Sequence, residues 1–265
     1  MPIVDMHAHV YPEKIAAKAT GSVGDFYHIP MQAQVGTVDK LLELREQTPI
    51  THNVVCSVAV KPQTVASIND FIANSCAAND TLLGLAAMHQ DFEGVEAELD
   101  RAISLGLLGV KLHPDTQEVD MDDPRLMRLY EACEQRDLPL LIHCGDYRYD
   151  YSHPRRLKRI LHEFPRLRVC AAHFGGWSLY DLALEFLEDE RCFLDVSSSM
   201  CYLGLRRTRE LIEDYGCDRI LFGTDFPMWK PEVECERFAA LGFSEADYER
   251  MSWRNAEAWL AHDIG

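Results

Sequence analysis

The chain has 265 residues, a formal net charge of −17 at pH 7 and a hydrophobic content of 47%. This length suits one large domain or two small ones, and the hydrophobic content is ordinary for a protein with a packed core. The negative charge argues against a nucleic-acid or anionic-membrane surface, because such surfaces need clustered Lys and Arg. We therefore expect no nucleic-acid partner and no membrane association.

The nine cysteines do not form a disulfide framework. Several lie in apolar runs, such as Cys56, Cys144 and Cys170, and the sequence has no Cys-x-x-Cys pair. This pattern is typical of reduced, buried thiols in a cytoplasmic protein. The N-terminus lacks a basic region followed by a long apolar run, and no stretch approaches about 18 uninterrupted apolar residues. We therefore expect neither secretion nor a membrane span.

Eight short apolar runs, largely free of charge, predict parallel strands that are buried on both faces. In chain order they are 3–9, 53–59, 82–89, 108–114, 139–145, 168–175, 192–199 and 219–225. Between them, amphipathic segments carry apolar residues at intervals of three and four, which predicts helices. These segments are 38–47, 94–106, 123–136, 153–164, 179–190 and 205–216. Asp123 before Pro124, and Ser152 or His153 before Pro154, predict two of the helix starts.

The alternation of strands and helices predicts an α/β fold, a single (β/α)8 TIM barrel over residues 1–265. An open doubly wound sheet is the alternative. It is disfavoured because no Gly-x-Gly-x-x-Gly motif follows any predicted strand.

The connection over residues 10–37 is too long for a minimal loop after the first strand. It carries Tyr11, Phe26, Tyr27 and His28 among glycines and prolines. In a barrel this loop lies on the C-terminal face, where active sites form, so it is either a lid or an Ω-like surface loop packed by its own aromatic side chains.

Polar side chains cluster at the C-terminal ends of the predicted strands. They are His7, His9, His89, Lys111, His113, His143, His173 and Asp225. His7 and His9 share one face of their strand, and barrel closure brings all these ends together. Imidazole and carboxylate groups suit Zn²⁺, which lowers the pKa of bound water from 15.7 to about 7. Asp225 can bind the metal through one oxygen and accept a proton through the other.

The ordered motifs resemble a known superfamily. They are HAH at 7–9, GVKLHP at 109–114, His143, HFGG at 173–176 and FGTDFP at 222–227. Together they are similar to the amidohydrolase superfamily, and within it to the amidohydrolase-related branch. That branch contains metal-dependent hydrolases and the aminocarboxymuconate semialdehyde decarboxylase-like enzymes. The resemblance implies that His7, His9, His143 and Asp225 bind one divalent metal, usually zinc. It also implies that His173 polarises the substrate or orients metal-bound water.

Lys111 leaves two alternatives open. In binuclear members of the superfamily, a lysine on the fourth strand becomes a carbamate that bridges two metals, and His173 would then be a ligand. We favour one metal, with Lys111 as the cation that binds a substrate carboxylate. A structural lysine would need a buried partner such as Asp195, because an unpaired buried charge is costly.

Further candidates for substrate binding are His113, Arg148, Tyr11 and Trp229. Arg148 can hold a carboxylate through two parallel hydrogen bonds, although a solvated loop arginine is the simpler alternative. Trp229 lies shortly after Asp225 and can form an apolar wall of the pocket.

These observations predict a metal-dependent hydrolase that attacks a small ester, lactone or amide with metal-activated water. The alternative is a non-oxidative decarboxylase of a small carboxylic acid, and a third is a non-catalytic metal-binding barrel. The expected partner is a small-molecule substrate, and a homo-oligomer is compatible with the sequence. Substrate identity lies beyond the motifs, because the loops of a barrel set its specificity.

Overall fold

Eight parallel strands form one sheet in the order β1 to β8, as a (β/α)8 barrel requires. The computed structural model describes residues 2–33 and 35–264, so residues 1, 34 and 265 of the predicted domain lie outside it. The strands are β1 Val4–His9, β2 His52–Cys56, β3 Leu82–Ala87, β4 Gly109–Leu112, β5 Leu140–Ile142, β6 Val169–Ala171, β7 Phe193–Asp195 and β8 Ile220–Leu221. The predicted barrel is confirmed, with shorter strands than the apolar runs indicated.

Backbone contacts join the first and last strands and nearly close the barrel. The amide of Met6 donates to the carbonyl of Phe222 at 2.9 Å, and the amide of Asp225 donates to the carbonyl of His7 at 2.7 Å. A parallel bridge pairs Ala8 with Phe226. Closure therefore places the two histidines of β1 beside the aspartate that follows β8.

An irregularity in β1 directs His7 into the barrel. The register with β2 shifts between Asp5 and Ala8. Met6 packs in the apolar cluster inside the barrel, and yet the adjacent His7 also faces the polar site. A bulge of this kind re-aims side chains, and it permits two successive residues to point inward.

Twelve α-helices surround the strands in the described residues. They are α1 Glu13–Tyr27, α2 Val38–Arg45, α3 Val65–Ala78, α4 Val95–Ser104, α5 Pro114–Gln117, α6 Pro124–Gln135, α7 Pro154–Glu163, α8 Tyr180–Leu187, α9 Met200–Tyr215, α10 Pro231–Ala239, α11 Glu245–Glu249 and α12 Asn255–Leu260. The six predicted helices are all present. Asp123 caps α6, and His153 caps α7 by accepting from the amide of Arg155.

The prediction of a loop over residues 10–37 is wrong for its first half, which forms α1. The glycines at 21 and 24 weaken the helical pattern, because glycine is a poor helix former. Yet Ala16 and Thr20, four residues apart, are both buried on one side of α1. Gly24 is needed where the chain turns back, since a Cβ there would lie 3.0 Å from the carbonyl oxygen of Ile29.

Helix α1 crosses the C-terminal mouth of the barrel. It begins just after β1, and Tyr27 at its other end contacts His113 and His143, which follow β4 and β5. The segment therefore covers the expected site, as a lid would. That this segment opens and closes as a lid stays a prediction. Residue 34 of the predicted loop lies outside the described residues.

All nine cysteines are free, as expected. Across residues 2–33 and 35–264, none of the helices combines the length and apolar character that crossing a membrane requires.

Candidate metal centre

Three of the four predicted metal ligands meet at the mouth of the barrel. The Nε2 atoms of His7 and His9 lie 3.1 Å apart. Oδ1 of Asp225 lies 3.7 Å from Nε2 of His7 and 3.5 Å from Nε2 of His9. The three ligand atoms therefore converge on one position, within the range that a small divalent ion can draw together at about 2 Å from each.

His143 reaches this group through His173. The ring of His173 stacks on that of His7 with centroids 5.3 Å apart, and its Nε2 lies 3.1 Å from Nδ1 of His143. All five residues thus lie at the same end of the barrel, and their roles stay predictions. His7, His9 and Asp225 lie in direct contact with one another, and the fourth predicted ligand, His143, is connected to them through His173.

Asp195 fixes the orientation of His7. Its Oδ2 lies 2.9 Å from Nδ1 of His7, so Nδ1 carries the proton and the lone pair of Nε2 faces Asp225 and His9. Burial alone would raise the pKa of Asp195, but His7, His173 and the hydroxyl of Ser197 together outweigh burial and hold the pKa below its usual range. The sequence suggested Asp195 as a partner for Lys111, and the structure instead gives it to His7.

Burial keeps the neighbouring imidazoles neutral. It lowers the pKa of His9, His113 and His143 well below the usual value, and the charge of Lys111 adds to the effect. Neutral imidazole is the form that binds metals. For Asp225, burial opposes ionisation, but the facing histidines outweigh it and lower its pKa. The group is therefore a carboxylate beside neutral nitrogen donors.

The second carboxylate oxygen of Asp225, Oδ2, is held by a chain of two hydrogen bonds. Oγ of Ser198 donates to Oδ2 of Asp225, and Nε1 of Trp229 donates to Oγ of Ser198 at 2.7 Å. Trp229, predicted as a pocket wall, is instead buried behind Asp225 in this chain of hydrogen bonds. Ser198 was not among the predicted residues, because a serine in a run of three carries no distinguishing pattern.

Lys111 is fully buried beside the metal-ligand group. Its Nζ lies 3.0 Å from Nε2 of His7. Within residues 2–33 and 35–264, it forms no ion pair with a carboxylate within 4.0 Å. An uncompensated buried ammonium is costly. The site thus holds a positive charge for which the described chain supplies no partner anion.

A second polar group lies at the end of α1. The hydroxyl of Tyr27 is 2.7 Å from Nε2 of His113 and 3.5 Å from Nε2 of His143, and the two imidazole rings stack with centroids 3.9 Å apart. Oδ2 of Asp115 lies 3.3 Å from Nε2 of His143, and burial raises the pKa of Asp115 to about 7. His113 was predicted here, and Tyr27 and Asp115 were not assigned a role.

Arg148 has partners that keep it from the cavity. Its guanidinium binds both oxygens of Asp146, with Nε to Oδ1 at 2.9 Å and NH2 to Oδ2 at 2.6 Å. It also lies 4.8 Å from the ring centroid of Phe26 and donates to the carbonyl of Phe26. Arg148 therefore anchors the end of α1, which does not favour the predicted binding of a substrate carboxylate. His89 likewise lies apart and accepts from the amide of Asp91.

A cavity of about 720 Å³ opens above the polar cluster. Its floor carries His7, His9, Lys111, His143, His173 and Asp225. Its walls include the predicted Tyr11, together with Tyr27, Phe71 and Trp177. The site therefore combines a charged, metal-ligating floor with aromatic and aliphatic walls, as small-molecule sites commonly do.

The sequence matches the family described as Amidohydrolase over residues 4–261. The chain belongs to the amidohydrolase family. The resemblance of its motifs to this superfamily is thereby confirmed. Its similar relatives include the γ-resorcylate decarboxylase of Polaromonas sp. JS666, which is 26% identical over 245 residues covering 74% of this chain and 75% of the relative. The γ-resorcylate decarboxylase of Rhodococcus jostii is 24% identical over 243 residues and covers 71% and 73%.

Solved structures share the fold. The dihydroxybenzoic acid decarboxylase of Polaromonas sp. JS666, solved with bound manganese and the inhibitor 2-nitroresorcinol, gives a TM-score of 0.77 at 18% identity over 98% of this chain and 97% of its own. The 5-carboxyvanillate decarboxylase of Sphingomonas paucimobilis gives 0.78 at 17% identity over 99% of both chains. At these identities the likeness shows the barrel alone.

The donor set fits a divalent metal. Two imidazole nitrogens, one of them fixed by a buried carboxylate, face a carboxylate oxygen, which is a mixed set that suits zinc and manganese alike. Nitrogen and oxygen donors do not single out zinc, and a related barrel was solved with manganese. The predicted divalent metal is thus supported at the level of a metal site, and zinc is not shown.

Proposed function

We propose that this chain is a metal-dependent, non-oxidative decarboxylase of a small aromatic carboxylic acid that carries a ring hydroxyl. The observation that carries the proposal is the similarity to four relatives that are all γ-resorcylate decarboxylases. The hydrolase expected from the sequence is not confirmed, and none of these four relatives is a hydrolase.

The buried charge of Lys111 supports this choice. A carboxylate substrate would supply the anion that Lys111 lacks in the described chain, and a charge-assisted hydrogen bond of this kind contributes about 1.5–3 kcal/mol. The aromatic walls suit a flat ring above the polar floor. In this role Lys111 binds substrate, and the site holds one metal, with His7, His9, His143 and Asp225 as its ligands.

The reaction breaks the bond between the ring carbon and the carboxylate carbon. The electron pair stays on the ring carbon and takes up a proton there, while carbon dioxide leaves. A divalent metal, when bound, supplies positive charge that orients the substrate oxygens and stabilises negative charge on them. Protein residues must provide the remaining steps, which are orientation of the ring and delivery of the proton.

His173, after β6, is placed to handle the proton. Nδ1 of His173 lies 2.9 Å from the carbonyl oxygen of Ser197, so this nitrogen carries a proton. Nε2 of His173 then keeps its lone pair, 3.1 Å from Nδ1 of the neutral His143, and can accept a proton. Asp225 lines the same cavity, and its carboxylate can accept and deliver a proton. We therefore assign Asp225 and His173 to proton transfer.

The test is release of carbon dioxide from metal-loaded protein. Protein prepared with manganese or zinc is incubated with 2,6-dihydroxybenzoate and other hydroxybenzoates, and product is followed by chromatography. We expect carbon dioxide and the matching phenol in equal amounts, with loss of activity after chelation. Hydrolysis of a lactone or ester panel without release of carbon dioxide from any hydroxybenzoate would instead support the hydrolase.

A further inference from the structure

One side of α1 forms an apolar wall of the cavity. Ile15, Ala19 and Val23 follow one another at intervals of four residues, so they share one face of the helix. All three line the cavity. The buried side of α1 has a different role, because Oγ1 of Thr20 accepts from the amide of Gly36 in the returning chain. The helix is thus held from one side, and its side toward the cavity is mostly apolar, with Lys18 and Ser22 as its polar members.

The opposite wall comes from the chain after β2. Val60, Ile68 and Phe71 line it, and the last two lie on α3. Ile15 and Val60 are 51% and 54% exposed. Single exposed apolar side chains are common. These two side chains differ because both also line the cavity. We call this apolar region between α1 and the 60–71 segment the slot.

The cavity is larger than a single-ring substrate requires. Its volume of about 720 Å³ lies in the upper part of the range of about 300–1,000 Å³ that accommodates drug-sized ligands. The charged floor would bind the carboxylate and ring hydroxyl of such a substrate. The apolar slot would then remain hydrated, which is unfavourable for apolar surface.

We propose that the substrate carries an apolar substituent, an alkyl chain or a second ring, that lies in the slot between α1 and the 60–71 segment. The inference rests on the proposed function, because it takes the acid group of that substrate to lie on the floor beside Lys111. It identifies the substrate class as alkyl- or aryl-substituted hydroxybenzoates. Continuity of the slot with the reactive floor favours part of the substrate over a separate partner as its occupant.

The first experiment is a chain-length series. Carbon dioxide release is measured for hydroxybenzoates that carry no substituent or n-alkyl groups of increasing length at one ring position. A buried methylene contributes up to about fourfold in affinity. We therefore expect kcat/KM to rise by up to fourfold per carbon until the slot is filled. A flat or falling series would overturn the proposal.

A matched pair of variants localises the effect. Ala19 faces the slot, whereas Ala17 is exposed and does not line this cavity. We expect Ala19→Trp to lower the ratio of kcat/KM for the longest alkyl substrate to that for the unsubstituted one by at least tenfold. Ala17→Trp, on the same helix, should leave this ratio unchanged. An equal loss in both variants would show that the preference does not arise from the slot.

Binding of inert ligands separates this inference from the proposed reaction. Alkylphenols lack the carboxylate and cannot release carbon dioxide, and their Kd is measured by calorimetry. A Kd that falls with chain length, without carbon dioxide release from any acid, would reject the reaction and retain the slot. Carbon dioxide release with no dependence on chain length in either assay would retain the reaction and reject the slot. Dimers that dissociate in Ile15→Asp, together with a flat series, would assign the slot to a second copy of the chain.

Discussion

Oδ2 of Asp195, at the end of β7, lies 2.9 Å from Nδ1 of His7 on β1. This contact joins a carboxylate that carries no recognisable motif to the first histidine of the HAH motif. It determines which nitrogen of His7 faces the cavity.

Replacement of Asp195 by Asn should weaken metal binding without changing the shape of the side chain. The amide no longer attracts the proton on Nδ1 of His7, and loss of such a carboxylate typically costs about 10–100-fold in metal affinity. Competition with a chromogenic chelator measures the change. Asp181→Asn, at an exposed carboxylate that pairs with Arg207, is the control and should retain full affinity.

His9→Ala should remove most of the bound metal and nearly all activity. His9 supplies one of the two Nε2 atoms that face Asp225. Its loss leaves three of the four assigned ligands, and only two of the three atoms that converge on one position. Metal per chain is measured by elemental analysis after purification without chelators. His162→Ala, at a histidine that is 63% exposed, serves as the control. Full occupancy in His9→Ala would contradict the ligand assignment.

Lys111→Met distinguishes one metal from two. With one metal, the variant should keep about one ion per chain, while KM for a carboxylate substrate rises roughly 10–150-fold through loss of a charged hydrogen bond. With two metals, loss of a bridging carbamate should lower the content from about two ions to one or fewer. The second result would make His173 a ligand and end the role proposed for Lys111 in substrate binding.

Tyr27→Phe tests the end of α1. Burial raises the pKa of Tyr27 well above its usual value, so its hydroxyl stays protonated. Nδ1 of the neutral His113 accepts from the amide of Thr116, so Nε2 of His113 carries the proton and donates to the Tyr27 hydroxyl. Loss of one neutral hydrogen bond of about 0.5–1.5 kcal/mol should lower kcat/KM by roughly two- to tenfold. Tyr147→Phe, at a tyrosine that is 71% exposed, should have no effect. An unchanged kcat/KM in Tyr27→Phe would show that this hydroxyl does not contribute to the reaction.

Glu234 on α10 should make the free energy of unfolding depend on pH. Burial raises the pKa of its carboxyl to about 7 despite the nearby Arg237, and Asp225 and Asp5 add to the increase. The folded state therefore binds the proton more tightly than the unfolded state, and stability falls as pH rises from about 4.5 to 7. At pH 8 the cost of ionisation is about 3 kcal/mol.

Glu234→Gln should therefore be more stable than the parent at pH 8 and equal to it near pH 4. Denaturant melts at both pH values measure the difference, with the exposed Glu236→Gln on the same helix as the control. Greater stability of Glu234→Gln at pH 4 than at pH 8, relative to the parent, would show that the sign is wrong.

The sequence predicted the elements that depend on local pattern. Strand runs, helix starts such as Asp123 and the shared face of His7 and His9 all follow from periodicity and turn chemistry. The contacts that long-range packing assembles around the metal ligands could not be predicted in the same way. Asp195 ends β7 and Ser198 follows it in a segment without a motif, and their roles arise from the neighbours that barrel closure gives them.

Helix α1 shows a second reason why the sequence did not predict the whole structure. Its two glycines suggested a loop, but the packing of Ala16 and Thr20 outweighs the low helix propensity of glycine. Arg148 illustrates the reverse case. A free arginine in a loop suggested substrate binding, but Asp146, only two residues away, binds one edge of its guanidinium with both carboxylate oxygens. Cytoplasmic localisation, a homo-oligomer and the single domain stay predictions.

The contact between β1 and β8 has a consequence for synthesis of the chain. His7 and His9 leave the ribosome long before Asp225 and the backbone partners of Met6 and His7. A nascent chain that stops before β8 lacks both the last wall of the barrel and the carboxylate of the metal-ligand group. Assembly of the metal site and completion of the barrel are therefore one event, and metal is expected to bind only once β8 and Asp225 have been synthesised.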